Sequence, residues 1–150
     1  MKRISLLFIS ICIAASSMAQ QKDPVKWDFS SVKKSDKVYE ITFTATIDKP
    51  WHIYSQTTPK NGALPTKILF KTNPLAAIKG NAKEIGALKT VYEDVFGTDV
   101  KYFDTKVSFT QTVNLKSAVK TSITGTVEYQ ACKDGLCLIP KKVPFDLKLQ

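Results

Sequence analysis

The chain has 150 residues, with 22 Lys and Arg against 13 Asp and Glu, one His and three Cys, enough for one ordinary domain and too little for two. Hydrophobic residues at 43%, charged residues at 23% and only 6 Gly and 7 Pro exclude a collagen-like, low-complexity or broadly disordered chain. The formal charge of +9 raises nucleic acid as a partner, but that reading depends on the compartment, which the first residues address.

Lys2 and Arg3 form a short positive start, and an apolar run from Ile4 to Ala15 is interrupted only by Ser5 and Ser10. Ser17 and Ala19 put small residues at the two positions that signal peptidase reads. Residues 1–19 therefore read as a secretory signal peptide and 20–150 as one exported domain. The run is too short to span a bilayer, and no later stretch is long enough. A lipid-anchored start at Cys12 is disfavoured by Ile11 before it, where a small residue is needed, and by the apolar run continuing past it. Cleavage takes Lys2 and Arg3 from the +9 total, leaving +7 on a protein that meets no genomic DNA. Lys33, Lys34, Lys71, Lys79, Lys101, Lys116 and Lys141 are spread without a basic helix or interleaved aromatics, so they read as a solvated surface and not as a nucleic-acid site.

From 25 onward the chain reads as strand after strand. Short candidates at 25–29, 51–55 and 66–71 accompany a long one at 38–47, where Tyr39, Ile41, Phe43, Ala45 and Ile47 alternate with Glu40, Thr42, Thr44 and Thr46. The same alternation recurs at 106–113, at 123–130 and at 142–149. Turn signals fall at Asp48-Lys49-Pro50, Pro59-Lys60-Asn61-Gly62, Asn73-Pro74, Gly97-Thr98-Asp99 and Asp134-Gly135. The stretch 76–88 comes nearest to a helical period, but Gly80 and Gly86 interrupt it. Seven or eight short strands in a chain of this size predict an all-β, immunoglobulin-like antiparallel β-sandwich.

Export leaves Cys132 and Cys137 as the only cysteines, an even count where disulfides persist. They are spaced as CKDGLC, and Asp134-Gly135 is a favoured two-residue loop because both positions can take the positive φ of a type I′ turn. With that loop at the tip, Lys133 faces Leu136 and Cys132 faces Cys137. The second pair is then the non-hydrogen-bonded one, about 4.5 Å apart at Cα, near the lower edge of the disulfide range. As a staple, a closed loop of about six residues contributes only about 2 kcal/mol. Strand parity puts the cysteines with Thr126, Glu128 and Gln130, which reads as the wetter face unless a bulge intervenes. An exposed disulfide is the kind that exchanges with thiolates, yet the residues alone leave an exchanging pair and an inert local bridge both open.

Two other chemistries are weaker. Cys132, Cys137 and His52 offer zinc three ligands from distant segments with no fourth, so no metal and no cofactor is expected. A Cys-His hydrolase needs a free thiol, and a thiol with a neighbour five residues on is oxidised after export. His52, between Trp51 and Tyr54, reads as a structural or surface histidine.

The stretch VEYQACKDGLCLIPKKVPFDL from Val127 resembles the cysteine hairpin of the N-terminal periplasmic domain of the membrane disulfide reductase DsbD. WHIYSQTTPKNGALPT from Trp51 and YEDVFG from Tyr92 agree with it, in the right order over nearly all of the exported chain. This chain has four residues between its cysteines where the family's best-known member has five. The resemblance implies an immunoglobulin-like domain in the periplasm that relays electrons by thiol-disulfide exchange with thioredoxin-like proteins or domains. It implies Cys132 and Cys137 as the redox pair, with Cys137 forming the mixed disulfide. Phe96 matches a capping residue, Asp94 a nearby acidic one and Tyr54 an aromatic beside the site; as alternatives, Phe96 is a loop aromatic docked on the core and Tyr54 a half-buried strand aromatic. Glu93 and Asp94 would raise the thiol pKa values. Because only the N-terminal domain is matched, electrons are expected from a separate membrane reductase. The competing reading is a non-enzymatic immunoglobulin-like interaction or chaperone module with an inert disulfide.

Overall fold

The computed structural model describes residues 23–61 and 63–150. The expected signal peptide with its Cys12, and Gly62 of one expected turn, lie outside the described residues. In chain order the strands are β1 (Val25–Ser35), β2 (Val38–Ile47), β3 (His52–Tyr54), β4 (Lys67–Phe70), β5 (Ala76–Ile78), β6 (Lys83–Gly86) and β7 (Lys89–Glu93). They continue as β8 (Thr98–Phe103), β9 (Lys106–Leu115), β10 (Thr121–Tyr129), β11 (Ala131–Lys133), β12 (Leu136–Cys137) and β13 (Lys141–Leu149). No described residue is helical, and so no helix among them could cross a membrane.

The long strands owe their pairing to the period-2 pattern. Tyr39, Ile41, Phe43 and Ala45 of β2 are buried on one face, as are Val107, Phe109 and Val113 of β9. Their register matches Phe43 to Phe109 and Ala45 to Val107, so all of these side chains reach one side of the sheet. That sheet runs β1-β2-β9-β5, with β6 also on β9. A second sheet, β13-β10-β4, closes over it. Between them Phe43 meets Phe145 edge to face at 4.7 Å between centroids, and Trp27 lies 5.9 Å from Phe109 and 5.5 Å from Tyr129. The result is the immunoglobulin-like antiparallel β-sandwich that the alternation predicts. Gly125 of β10 marks the closest approach: a Cβ there would stand 2.1 Å from the Leu69 carbonyl oxygen and 2.6 Å from the Phe145 ring.

A third sheet, β12-β11-β3-β8-β7, positions the cysteines. It takes over from the second sheet at Gln130, where the chain leaves β10 and enters β11. The Gln130 side-chain amide donates to the Leu138 carbonyl at 2.9 Å, and the Leu138 N–H donates to the Ala131 carbonyl at 2.9 Å.

Thirteen strands among the described residues exceed the seven or eight expected, for three physical reasons. The 76–88 stretch supplies two short edge strands, β5 and β6, both laid on β9, with the Gln111 amide donating to the Lys79 carbonyl between them at 3.0 Å. β7 is an edge strand whose residues are almost all exposed, so it carries no alternation to read. The expected turn at Gly97-Thr98-Asp99 is displaced: the turn is Asp94 to Gly97, and Thr98 and Asp99 already belong to β8.

Candidate functional site

Cys132 and Cys137 are joined in a disulfide with Cα atoms 4.1 Å apart, at the end of the β11–β12 hairpin. The two-residue loop works as its composition dictates: Asp134 and Gly135 have φ of 47° and 75°, and Lys133 pairs with Leu136 beside them. The side chain of Lys133 leaves on the other face and places its ammonium 4.9 Å from the centre of the Trp51 ring.

Alternation then divides the third sheet into two environments. Ala131, Ile53 and Phe103 belong to the sandwich core, while their neighbours Cys132, Tyr54 and Tyr102 belong to a second, smaller apolar cluster. That cluster is built on Tyr54, Ala63, Val100 and Cys132, with Phe96, Tyr102 and Cys137 packed against it. Parity therefore puts the cysteines on the side away from the core, as their sequence neighbours indicate. The expectation of a wetter face is corrected, however: Cys132 is 1% exposed. It is buried in a cluster with Tyr54 of β3, Val100 of β8 and Ala63 of the loop before β4, and Phe96 of the β7–β8 loop packs against that cluster. Cys137 stays partly exposed.

The loop that carries Phe96 is a four-residue hairpin connection. The Phe96 and Gly97 N–H groups donate to the Glu93 carbonyl at 3.0 and 2.8 Å, and Gly97 takes the left-handed conformation with φ of 62°. This directs Phe96 inward, edge-on to Tyr54 with ring centroids 6.5 Å apart. Asp94 and Val95 at the tip are exposed, and Glu93 at the base is half-buried.

An open cleft of about 460 Å³ runs past His52, with Glu93, Tyr102, Asp104 and Asp134 also in its lining. His52 pairs directly with Cys132 across β3 and β11, and its Nε2 is 3.2 Å from the Tyr54 hydroxyl. Burial pushes the His52 imidazole below its ordinary pKa, partly offset by the carboxylates of Glu93, Asp104 and Asp134. Burial pushes the Tyr54 phenol up to about 12, with Glu93 and Tyr102 adding to it. Both groups are thus neutral at pH 7, and a neutral imidazole beside a disulfide can accept a proton.

The family model for the thiol:disulfide interchange protein DsbD, N-terminal, matches residues 18–149. The chain belongs to the DsbD N-terminal family. Membership makes the hairpin pair part of a thiol-disulfide exchange domain, as the resemblance of VEYQACKDGLCLIPKKVPFDL implies. Among solved structures, the chain is similar to the N-terminal periplasmic domain of ScsB from Proteus mirabilis, with 16% identity and a TM-score of 0.55. That match covers 87% of this chain and only 47% of the Proteus chain. A chain in the complex between the DsbD N-terminal and PilB N-terminal domains from Neisseria meningitidis matches with 14% identity and a TM-score of 0.50, covering 88% of each. At these identities the structural likeness concerns the fold. No curated protein matches in sequence.

Within this DsbD N-terminal domain, Tyr54 and Phe96 stand in one cluster with the two cysteines, while Asp94 faces solvent at the loop tip. Sequence reasoning missed Val100, Tyr102 and Ala63, and it set His52 aside. The signal for the first two is the alternation of Val100 and Tyr102 with Asp99, Lys101 and Phe103, hidden by the turn assigned to Gly97-Thr98-Asp99. His52 lies two residues before Tyr54 in the same strand and therefore on the same face.

Proposed function

We propose that residues 20–150 form a periplasmic domain, exported by the signal peptide at 1–19, that relays electrons between thioredoxin-like partners and a separate membrane reductase. In the outward direction the Cys137 thiolate attacks a partner disulfide and forms a mixed disulfide. Cys132 then attacks Cys137, restoring the internal disulfide and releasing the partner with two electrons. In the inward direction a partner thiolate attacks Cys137, and Cys132 leaves. One observation carries this assignment: of the two bonded sulfurs, Cys137 belongs to a partly exposed residue and Cys132 to one that is 1% exposed. This difference favours Cys137 as the sulfur an incoming thiol attacks.

Phe96 acts as the cap in this reading, and Tyr54 as the surface it closes on. Glu93 and Asp94 place negative charge on the cap loop, which disfavours thiolates and keeps the reduced pair slow until a partner displaces the loop. Val95, Leu136 and Ile139 are 75%, 57% and 85% exposed near the disulfide, apolar surface suited to such a partner.

The test is a redox titration of the exported protein against glutathione and a thioredoxin, with trapping variants. Cys132→Ser should accumulate a mixed disulfide through Cys137, and Cys137→Ser should not. A potential well below about −300 mV with no exchange, the behaviour of structural disulfides, would favour an interaction or chaperone module with an inert bridge.

A further inference from the structure

We propose that His52 is the general base that deprotonates Cys132 when it resolves the mixed disulfide. This inference rests on the relay reading above, because it concerns the second of the two exchange steps.

The geometry comes from the ladder. His52 is the residue opposite Cys132 on the neighbouring strand, and alternation places both side chains on the capped face. Cβ atoms of directly opposed residues lie about 4.5–5.5 Å apart, which sets the imidazole beside the Cys132 side chain. Its one side-chain hydrogen bond among the described residues joins Nε2 to the Tyr54 hydroxyl. When Nε2–H donates to that oxygen, Nδ1 carries the free lone pair.

Cys132 needs such a partner. Burial and the cap loop's charges favour its protonated form, and a thiol is a poor nucleophile. In the step, the Cys132 S–H proton passes to Nδ1 of His52 as the Cys132 sulfur attacks the Cys137 sulfur. The Cys132–Cys137 bond forms, the bond from Cys137 to the partner breaks, and the partner sulfur leaves as a thiolate. The proton on the imidazole then passes to that thiolate or to water in the cleft.

Charged and titratable groups face His52 from each neighbouring element. Cys132 comes from β11, Tyr54 from β3 itself, Tyr102 from β8, Asp104 from the turn after β8, Glu93 from β7 and Asp134 from the hairpin tip. Asp104 is bonded to Lys89 of β7. The three carboxylates would stabilise the imidazolium formed in the step. Burial returns it to the neutral form afterwards.

The experiment is stopped-flow mixing of the fully reduced protein with an excess of an aromatic disulfide whose thiolate absorbs visible light. Two thiolates are released: one in a phase that scales with reagent concentration as Cys137 attacks, and one in a concentration-independent phase as Cys132 resolves. In the wild-type protein the second phase should be flat with pH across neutrality and should slow only as pH falls below the ordinary imidazole value. His52→Gln, which keeps the donor to Tyr54, should slow the second phase about 100-fold at pH 7 and make it rise about tenfold per pH unit. Its first phase should be unchanged. His52→Asn should behave likewise, and it carries the test if His52→Gln does not fold.

A second phase in either folded variant with the wild-type rate and pH profile would overturn the role of His52 and leave the relay standing. A wild-type second phase already rising tenfold per pH unit through neutrality would overturn it without any variant. Absence of a second phase in the wild type would instead show that Cys132 does not resolve, which is a failure of the relay reading.

Discussion

The two faces of the β11–β3–β8 segment are made from alternate residues of the same three strands, yet they have opposite characters. Inward, Ala131, Ile53 and Phe103 join a core closed by two sheets and crossed by Trp27, Phe43, Phe109 and Phe145. Outward, Cys132, Tyr54, Val100 and Tyr102 pack with Ala63 and one aromatic on a four-residue loop. Opening the inward face means separating the sandwich. Opening the outward face means moving a hairpin tip whose Phe96 and Gly97 N–H groups hydrogen-bond only the Glu93 and Asp94 carbonyls of the same turn. Small, loop-covered clusters sit at the low end of the local stability range, where reactive groups that must be reached are found.

The largest effect should come from the closed side. Phe43 is fully buried and meets Phe29, Phe70 and Phe145 at centroid distances of 5.6, 6.0 and 4.7 Å. Phe43→Ala removes the ring from a site whose neighbours are fixed by two sheets, and should cost about 3–5 kcal/mol in urea unfolding. In the protein that remains folded, the disulfide should react with small thiols at its wild-type rate. A change in that rate would mean that the two faces are coupled and do not behave as separate environments.

Phe96→Ala addresses the other side and should give the inverse result. Phe96 is only half-buried, so its loss should cost about 1 kcal/mol of stability, well short of the roughly 3 kcal/mol or more of an emptied core site. The reaction of the disulfide with small thiols, and of the reduced pair with alkylating agents, should become faster. A variant that loses about 3 kcal/mol and gains no reactivity would make Phe96 a core residue and end its role as a cap.

The inward face was legible in the sequence and the outward face only in part, for a physical reason. Tyr39 to Ile47 alternates because one side is dry and the other wet, so the sequence displays the strand and its buried face together. In β11 and β8 both sides are covered, by the core and by the loop. The alternation of Val100 and Tyr102 with Asp99 and Lys101 is therefore short and ends in the apolar Phe103, and Thr98-Asp99 resembles a turn. The hairpin was legible because Asp134-Gly135 fixes its own loop and with it the cysteine register. What parity could not supply is the cover over Cys132, which comes from residues 30 to 80 positions away and leaves no trace in the cysteine strand. The pairing of His52 with Cys132 was hidden for the same reason, since register between distant strands is a tertiary fact.

The smallest effect belongs to the edge of the sandwich and tests whether the closed side can be loosened without touching the site. Asp23 accepts hydrogen bonds from the Tyr129 hydroxyl at 2.5 Å and the Val25 N–H at 3.0 Å, and it pairs with the Lys141 ammonium at 2.9 Å. Burial raises its pKa, but these hydrogen bonds from Tyr129, Lys141 and Val25 outweigh that and hold the carboxyl below the ordinary 3.8. A carboxyl depressed on folding contributes stability that is fully present above the unfolded value and is lost as pH falls through the folded one. The window therefore lies at and below 3.8. Because Asp23 keeps about a third of its side chain exposed and Lys141 more, solvent screening limits the contribution to less than about 1 kcal/mol. Asp23→Asn should lower the urea midpoint slightly at pH 7, and the gap from the wild type should close as both are taken well below pH 3.8. A gap that persists in acid would assign the contribution to shape and not to charge. Exchange at Cys137 should not respond to Asp23→Asn at any pH, since Tyr129 and Asp23 tie the sandwich to its N-terminal edge while the disulfide lies across the sheet from the core.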